Sequence, residues 1–242
     1  MHDVTWVFYD HEEVEAAKNG LGRLGRNRPD LLAGDFAILM EPTDGRVEGG
    51  CQGTMRFTLE VPGRAAHSAR SWVGHNAIHD LSAVLERLNR WQERDPFVEV
   101  DGLTFREGLN ATMLDAGVAG NVIPPTATIQ INYRFAPDKT TEQARQYMED
   151  LFHEWPMNVL DLSAPARPGL DRPLAKSFVA AVGGEPGPKY GWTDVARFGQ
   201  LGIPAVNFGP GNALCAHQVD ECCRLGSLDE CYRALHTWLA SR

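Results

Sequence analysis

The chain has 242 residues, and its 23 Lys and Arg against 32 Asp and Glu leave a net charge of −9. That balance argues against a nucleic-acid or anionic-membrane surface, so an anionic substrate has to be met by local arginines. Apolar residues make up 43% and charged residues 23%, an ordinary globular composition. No apolar run approaches the roughly 20 residues that span a bilayer. The first residues lack the basic, apolar and small-residue zones of a signal peptide, so the expected location is the cytoplasm. The five cysteines are odd in number and show no C-x-x-C spacing, which suits neither a disulfide framework nor a zinc knuckle.

In chain order, residues 4–9 (VTWVFY) are β-branched and aromatic and read as a buried strand. They run directly into Asp10-His11-Glu12-Glu13. Residues 36–40 (FAILM) form a second short strand that ends on Glu41-Pro42-Thr43. From Gly53 the texture changes: Met55, Phe57, Leu59 and Val61 alternate with polar residues, as in a half-buried strand. Ala77, Ile78, Leu81, Val84, Leu85, Leu88 and Trp91 follow helical spacing. A strand near 109–114, a turn at 120–125 and a strand over 126–135 come next. A helix then runs to about residue 153 with Thr140 or Thr141 as N-cap, followed by a strand over 158–162. This β-α-β-β-α-β order is the ferredoxin-like split motif, so residues 51–162 read as an inserted α+β domain. After Pro165 the α/β texture returns, with helices near Pro173 and over 194–201, a strand over 203–208, and a terminal helix over 228–239. Residues 1–50 and 163–242 therefore read as one α/β domain interrupted by the insert.

Four potential donors lie at strand ends or turns of the α/β segments: Glu12, Glu13, Glu41 and His217. Ligands gather at the carboxyl ends of strands in α/β sheets. Adjacent glutamates can divide labour, one holding a metal while the other moves a proton. Equally, Glu12-Glu13 can be a solvated helix start, and a histidine past a glycine turn can be structural. Gly20, Gly22 and Gly25 match G-x-G-x-x-G, but they follow an acidic stretch rather than a strand, which argues against a dinucleotide fingerprint. His75 and His79 have i, i+4 spacing without the intervening carboxylate of H-E-x-x-H.

Taken together, DHEEVEAAKNGL, ILMEPTDGRVEGGCQGT, GRAAHSARSWVGHNAIH, AGNVIPPTATIQINYRFAP, GWTDVARF and GIPAVNFGPGNALCAHQVDE resemble the M20 family of metallopeptidases and amidohydrolases. The resemblance covers essentially the whole chain. Within the family it is nearest to the branch that desuccinylates N-succinyl-LL-2,6-diaminopimelate, with acetylornithine deacetylase-like deacylases or a non-catalytic dimerising fragment as alternatives. It implies Glu12 as the catalytic acid/base, and Glu13, Glu41 and His217 as metal ligands, Glu13 and His217 on the same ion. It implies two Zn2+ per intact site, with Co2+ or Mn2+ as substitutes. It further implies a homodimer through residues 51–162, in which His67 reaches the partner's site and polarises the scissile carbonyl. Arg70, Asn121 and Arg134 match positions near the carboxylates of a small N-acyl amino-acid substrate, a task that suits arginine because its fork binds carboxylate bidentately.

Family members also carry an H-x-D motif and a bridging aspartate upstream of the glutamate pair, and here eleven residues precede Glu12. The expectation is a catalytic domain lacking its N-terminal part. One metal would then keep Glu13 and His217 and the other only Glu41, giving weak zinc binding and negligible turnover.

Overall fold

The computed structural model describes residues 2–12, 16–216 and 218–241. In chain order the chain forms α1 (Gly20–Asn27), β1 (Ala37–Leu39), β2 (Glu48–Gly49), β3 (Gly53–Pro62), β4 (Ala66–His67) and α2 (Ala77–Gln92). There follow β5 (Phe97–Val100), β6 (Leu103–Arg106), β7 (Gly108–Ala116), β8 (Val122–Ile123), β9 (Thr126–Phe135), α3 (Thr141–Leu151) and β10 (Met157–Ser163). The chain ends with α4 (Pro173–Val182), β11 (Gly187–Pro188), α5 (Val195–Gln200), β12 (Ala205–Asn207) and α6 (Leu225–Ala240). Among the described residues no helix is long and apolar enough to cross a membrane.

The elements fall into two units, one of Met1–Cys51, Glu99–Phe105 and Ala166–Arg242, the other of Gln52–Val98 and Arg106–Pro165. In the second unit a four-stranded antiparallel sheet runs in the order β10-β3-β9-β7, the ferredoxin-like arrangement. Its register puts Phe57 opposite Ile131 and Leu59 opposite Ile129, so the apolar residues of both strands share one face. Met55, Phe57, Leu59, Val61, Ile129, Ile131, Tyr133 and Phe135 are all buried there, beneath α2 and α3. Helix α2 contributes Ala77, Leu81, Val84, Leu88 and Trp91. Ile78 and Leu85 instead flank the stripe and stay 41% and 44% exposed, so the buried face is narrower than the apolar spacing suggests. Helix α3 begins on Thr140 with a full capping box: its side chain accepts from the Gln143 amide, and the Gln143 side chain accepts from the Thr140 amide.

The β5–β6 hairpin is absent from the sequence reading. Its turn is Asp101-Gly102, with φ of 50° and 82°, the two left-handed positions of a type I′ turn. The segment Glu99–Phe105, read from sequence as part of the insert, groups with the first unit. Within that unit Arg167 grips Asp101 through Nε and Nη2, at 2.9 and 2.5 Å.

The first unit carries a sheet in the order β1-β12-β2-β11. Alternation along β12 sends Ala205 into one core with Leu39, Cys51, Val195 and Ala196, and Val206 into another with Val47, Phe178, Phe208, Cys231 and Trp238. Helix α5 therefore covers one face, while α4 and α6 cover the other.

The strand expected at residues 4–9 does not form: the segment has no regular secondary structure, and Trp6 and Phe8 are 66% and 91% exposed. Composition favours a strand only where a neighbour takes up its backbone N–H and C=O groups. The segment pairs with no strand among the described residues, and β1 is the edge of its sheet. An apolar cavity of about 840 Å3 lies among residues 2–9, residues 31–41 and side chains including Leu235, Trp238 and Leu239.

Candidate functional site

Parallel pairing explains how segments far apart in sequence reach one place. Strands β1 and β12 run side by side, Ala37 with Ala205 and Leu39 with Asn207, so both carboxyl ends lie at the same sheet edge. Glu41 follows β1 there, and the loop after β12 leads towards His217. The two loops are bolted together. The Thr43 amide donates to the Gly209 carbonyl at 3.3 Å, and the Gly209 amide donates back to Thr43 Oγ1 at 3.1 Å. The amides of Gly45 and Asp44 bond the carbonyls of Gly209 and Gly211 at 3.0 and 2.7 Å. A Cβ at Gly209 would sit 2.6 Å from the Glu41 carbonyl oxygen, so only glycine allows this approach. Lys189 is buried beneath the loop, bonded to the Pro42 carbonyl at 3.3 Å and paired with Glu48 at 3.0 Å.

Glu12 lies in a turn and is partly buried. Asn19 reaches its carbonyl at 3.5 Å and caps α1 by accepting from the Gly22 amide at 2.8 Å. The same Asn19 donates to Asp194 at 2.9 Å. Asp194 is wholly buried and also takes Arg197 Nε at 2.5 Å and a hydrogen bond from Tyr9. Burial raises the Tyr9 phenol well above its ordinary value, and the charges of Asp194, Glu12 and Glu41 push the same way. Those three carboxylates therefore share the surroundings of one phenol. Asp194 stands inside the GWTDVARF segment, but the sequence reading gave it no role. The signal for it, an acid before a small apolar helix, is too common to single out.

The other sequence candidates lie in the second unit. Strand β4 pairs with β8, His67 opposite Val122, and the Ser68 amide bonds the Asn121 carbonyl at 2.8 Å. His67, Arg70 and Asn121 are thereby brought to one exposed corner, where His67 Nδ1 accepts from the Ala69 amide at 3.1 Å. Arg134 does not join them. It is partly buried, opposite Thr54 and Gly108, and its side chain donates to Asn132 at 3.0 Å. Burial lowers its pKa, and the neighbouring charge of Arg56 adds to the effect. At about 3.4 Å per residue, the strand from Thr126 to Arg134 puts Arg134 roughly 27 Å from the end of β9 nearest that corner.

Glu13 and His217 lie outside the described residues. Glu12 and Glu41 have the hard oxygen chemistry that a divalent cation accepts. Among the described residues no cluster of three or more His, Cys, Asp or Glu could hold a metal ion. Of the three ligands that the resemblance implies, the described residues contain Glu41.

Residues 50–154 match the peptidase dimerisation domain of M20 proteins. Over 240 residues the chain is 52% identical to a putative succinyl-diaminopimelate desuccinylase, DapE, of Mycobacterium tuberculosis, covering 98% of this chain and 67% of that protein. The chain belongs to the M20 family. A second M20 relative, the succinyl-diaminopimelate desuccinylase of Corynebacterium glutamicum, is 40% identical over 247 residues, covering 99% of this chain and 66% of its own length. Among solved structures, a Staphylococcus aureus tripeptidase matches with a TM-score of 0.68 at 19% identity, covering 90% of this chain and 60% of that one. An M20 metallo-carboxypeptidase of Sulfolobus solfataricus matches at 0.64 and 17%, covering 90% and 65%. At those identities the two structures speak for the fold alone. The chain contains a peptidase dimerisation domain.

Proposed function

We propose that the protein hydrolyses the amide of N-succinyl-LL-2,6-diaminopimelate to succinate and LL-diaminopimelate, in the cytoplasm. Residues 1–50 and 163–242, together with the segment Glu99–Phe105, form its catalytic domain, and it dimerises through the remainder of residues 51–162. The carrying observation is the 52% identity along 98% of the chain to a relative bearing that name. The bolted loops after β1 and β12 support it by giving Glu41 and the approach to His217 a common edge.

In this reading Glu12 takes the proton from the attacking water and delivers it to the departing amine, ordinary general acid–base work for a carboxylate beside a charged site. Glu13 and His217 would hold one zinc ion, and Glu41 would serve another. When bound, the metals lower the pKa of water and polarise the carbonyl. His67 donates a hydrogen bond to the carbonyl oxygen in the partner's site, where developing charge makes such a donor most effective. Arg70 and Asn121 share its corner and orient the substrate there. Arg134, at the far end of β9, reads a carboxylate by its guanidinium fork.

The test is Glu12→Gln in the full gene product. Turnover is expected to fall by about 10²–10⁴-fold, the worth of a positioned proton carrier, with zinc content unchanged. Wild-type turnover in that variant would remove Glu12 from the chemistry.

A further inference from the structure

Between α1 and α5 lies a pocket of about 240 Å3 whose lining includes Leu21, Leu32, Phe198, Leu201, Arg26 and Arg197. Both arginines point into the space above Gly22. A Cβ at Gly22 would sit 2.7 Å from Arg197 Nη1 and 3.4 Å from Arg26 Nη1, so the missing side chain lets both guanidinium groups converge over this glycine, at the edge of the pocket. Arg197 is held rigidly: its Nε bonds Asp194 at 2.5 Å, its guanidinium lies over the Trp192 ring at 5.2 Å, and its side chain is 16% exposed. That leaves Nη1 aimed at the space above Gly22. Arg26 is exposed, and its Nη2 donates to the Ala17 carbonyl at 3.3 Å. Among the described residues it has no carboxylate partner, whereas the acids nearby are committed. Asp10 pairs with Arg23 and His11, Asp30 with Arg28, and Asp194 with Arg197, Asn19 and Tyr9.

Two converging guanidinium groups repel one another and together offer the planar donor set that carboxylates and phosphates fit. An oxyanion between them would relieve the repulsion. The volume falls below that of drug-sized ligand sites, which selects a small guest. The walls decide its chemistry: Leu21, Leu32, Phe198 and Leu201 offer apolar surface that a short alkyl chain covers and a bare phosphate does not. We propose that this pocket binds a short-chain carboxylate, its head group between Arg26 and Arg197 and its chain against the leucines and Phe198. The site stands apart from the hydrolase reading, and its test needs no turnover.

The experiment is titration of the 15N-labelled 242-residue chain with sodium butyrate, and separately with inorganic phosphate, at constant ionic strength. Butyrate is expected to shift the Gly22 and Gly25 amide resonances saturably, and phosphate to saturate them only at higher concentration. Arg26→Ala is expected to weaken butyrate binding at least tenfold. Arg26→Lys keeps the charge without the fork and should weaken it by a smaller factor, while Arg28→Ala leaves it unchanged. The absence of a saturable shift, indifference to Arg26→Ala, or phosphate binding as tight as butyrate would overturn the proposal.

Discussion

Replacing Asp194 with alanine is expected to cost about 3–5 kcal/mol of folding stability, the usual penalty for breaking a buried ion pair and leaving its partner charge behind. Asp194 is fully buried, and Arg197, 16% exposed, would lose its counter-ion at 2.5 Å. Asn19 would lose its acceptor at 2.9 Å, and Tyr9 a further one. These partners tie the segment before Glu12, the start of α1 and helix α5 into one network, so the loss should spread through the whole first unit. Urea denaturation followed by tryptophan fluorescence measures it. Arg28→Ala is the control: its pair with Asp30 leaves both side chains more than half exposed, and solvent screens such a pair so that its loss should leave stability nearly unchanged. A loss below 1 kcal/mol at Asp194 would show that the network carries no stability.

Truncating Phe57 to alanine should cost about 3–5 kcal/mol, through lost transfer free energy and the cavity left behind. Phe57 lies mid-strand in β3, wholly buried, with its ring 5.8 Å from that of Phe152 and its backbone paired to Ile131. A sheet face and a helical layer meet at this side chain, so neighbours cannot close the gap without shifting the strand register. Amide hydrogen exchange reads the effect locally, and protection along β3 and β9 should fall together. Unchanged protection on β9 would mean that the two strands are not stabilised through this contact.

Much of the second unit was legible in the sequence because its signals are local. The alternation over β3 and β9 marked them as half-buried strands, and a threonine at 140 or 141 marked the start of α3, where the structure places the cap on Thr140. The β5–β6 hairpin carries an equally local signal, Asp101-Gly102 between alternating apolar residues, but a turn signal does not say which unit the hairpin joins. The first unit was harder. Residues 4–9 have strand composition, yet composition cannot say whether a neighbouring strand exists to complete the ladder. The G-x-G-x-x-G residues do open a helix, α1, but a turn and the Asn19 cap precede it, not a strand. Of the candidate site, Glu41 and the turn after β12 were legible as strand ends. Asp194 was not, because its importance lies in three long-range partners. The distance between Arg134 and His67 likewise becomes visible only once the register of β9 is known.

The membership of this chain in the M20 family makes substrate choice the sharpest remaining question, and one comparison addresses it. Initial rates of the zinc-loaded full gene product should be measured on N-succinyl-LL-2,6-diaminopimelate and on N-acetylornithine at matched concentrations. A pocket that hydrogen-bonds the succinyl carboxylate rejects an analogue lacking it by large factors, so the succinyl substrate should be preferred in kcat/KM by about 100-fold or more. A preference for N-acetylornithine would contradict the desuccinylase assignment.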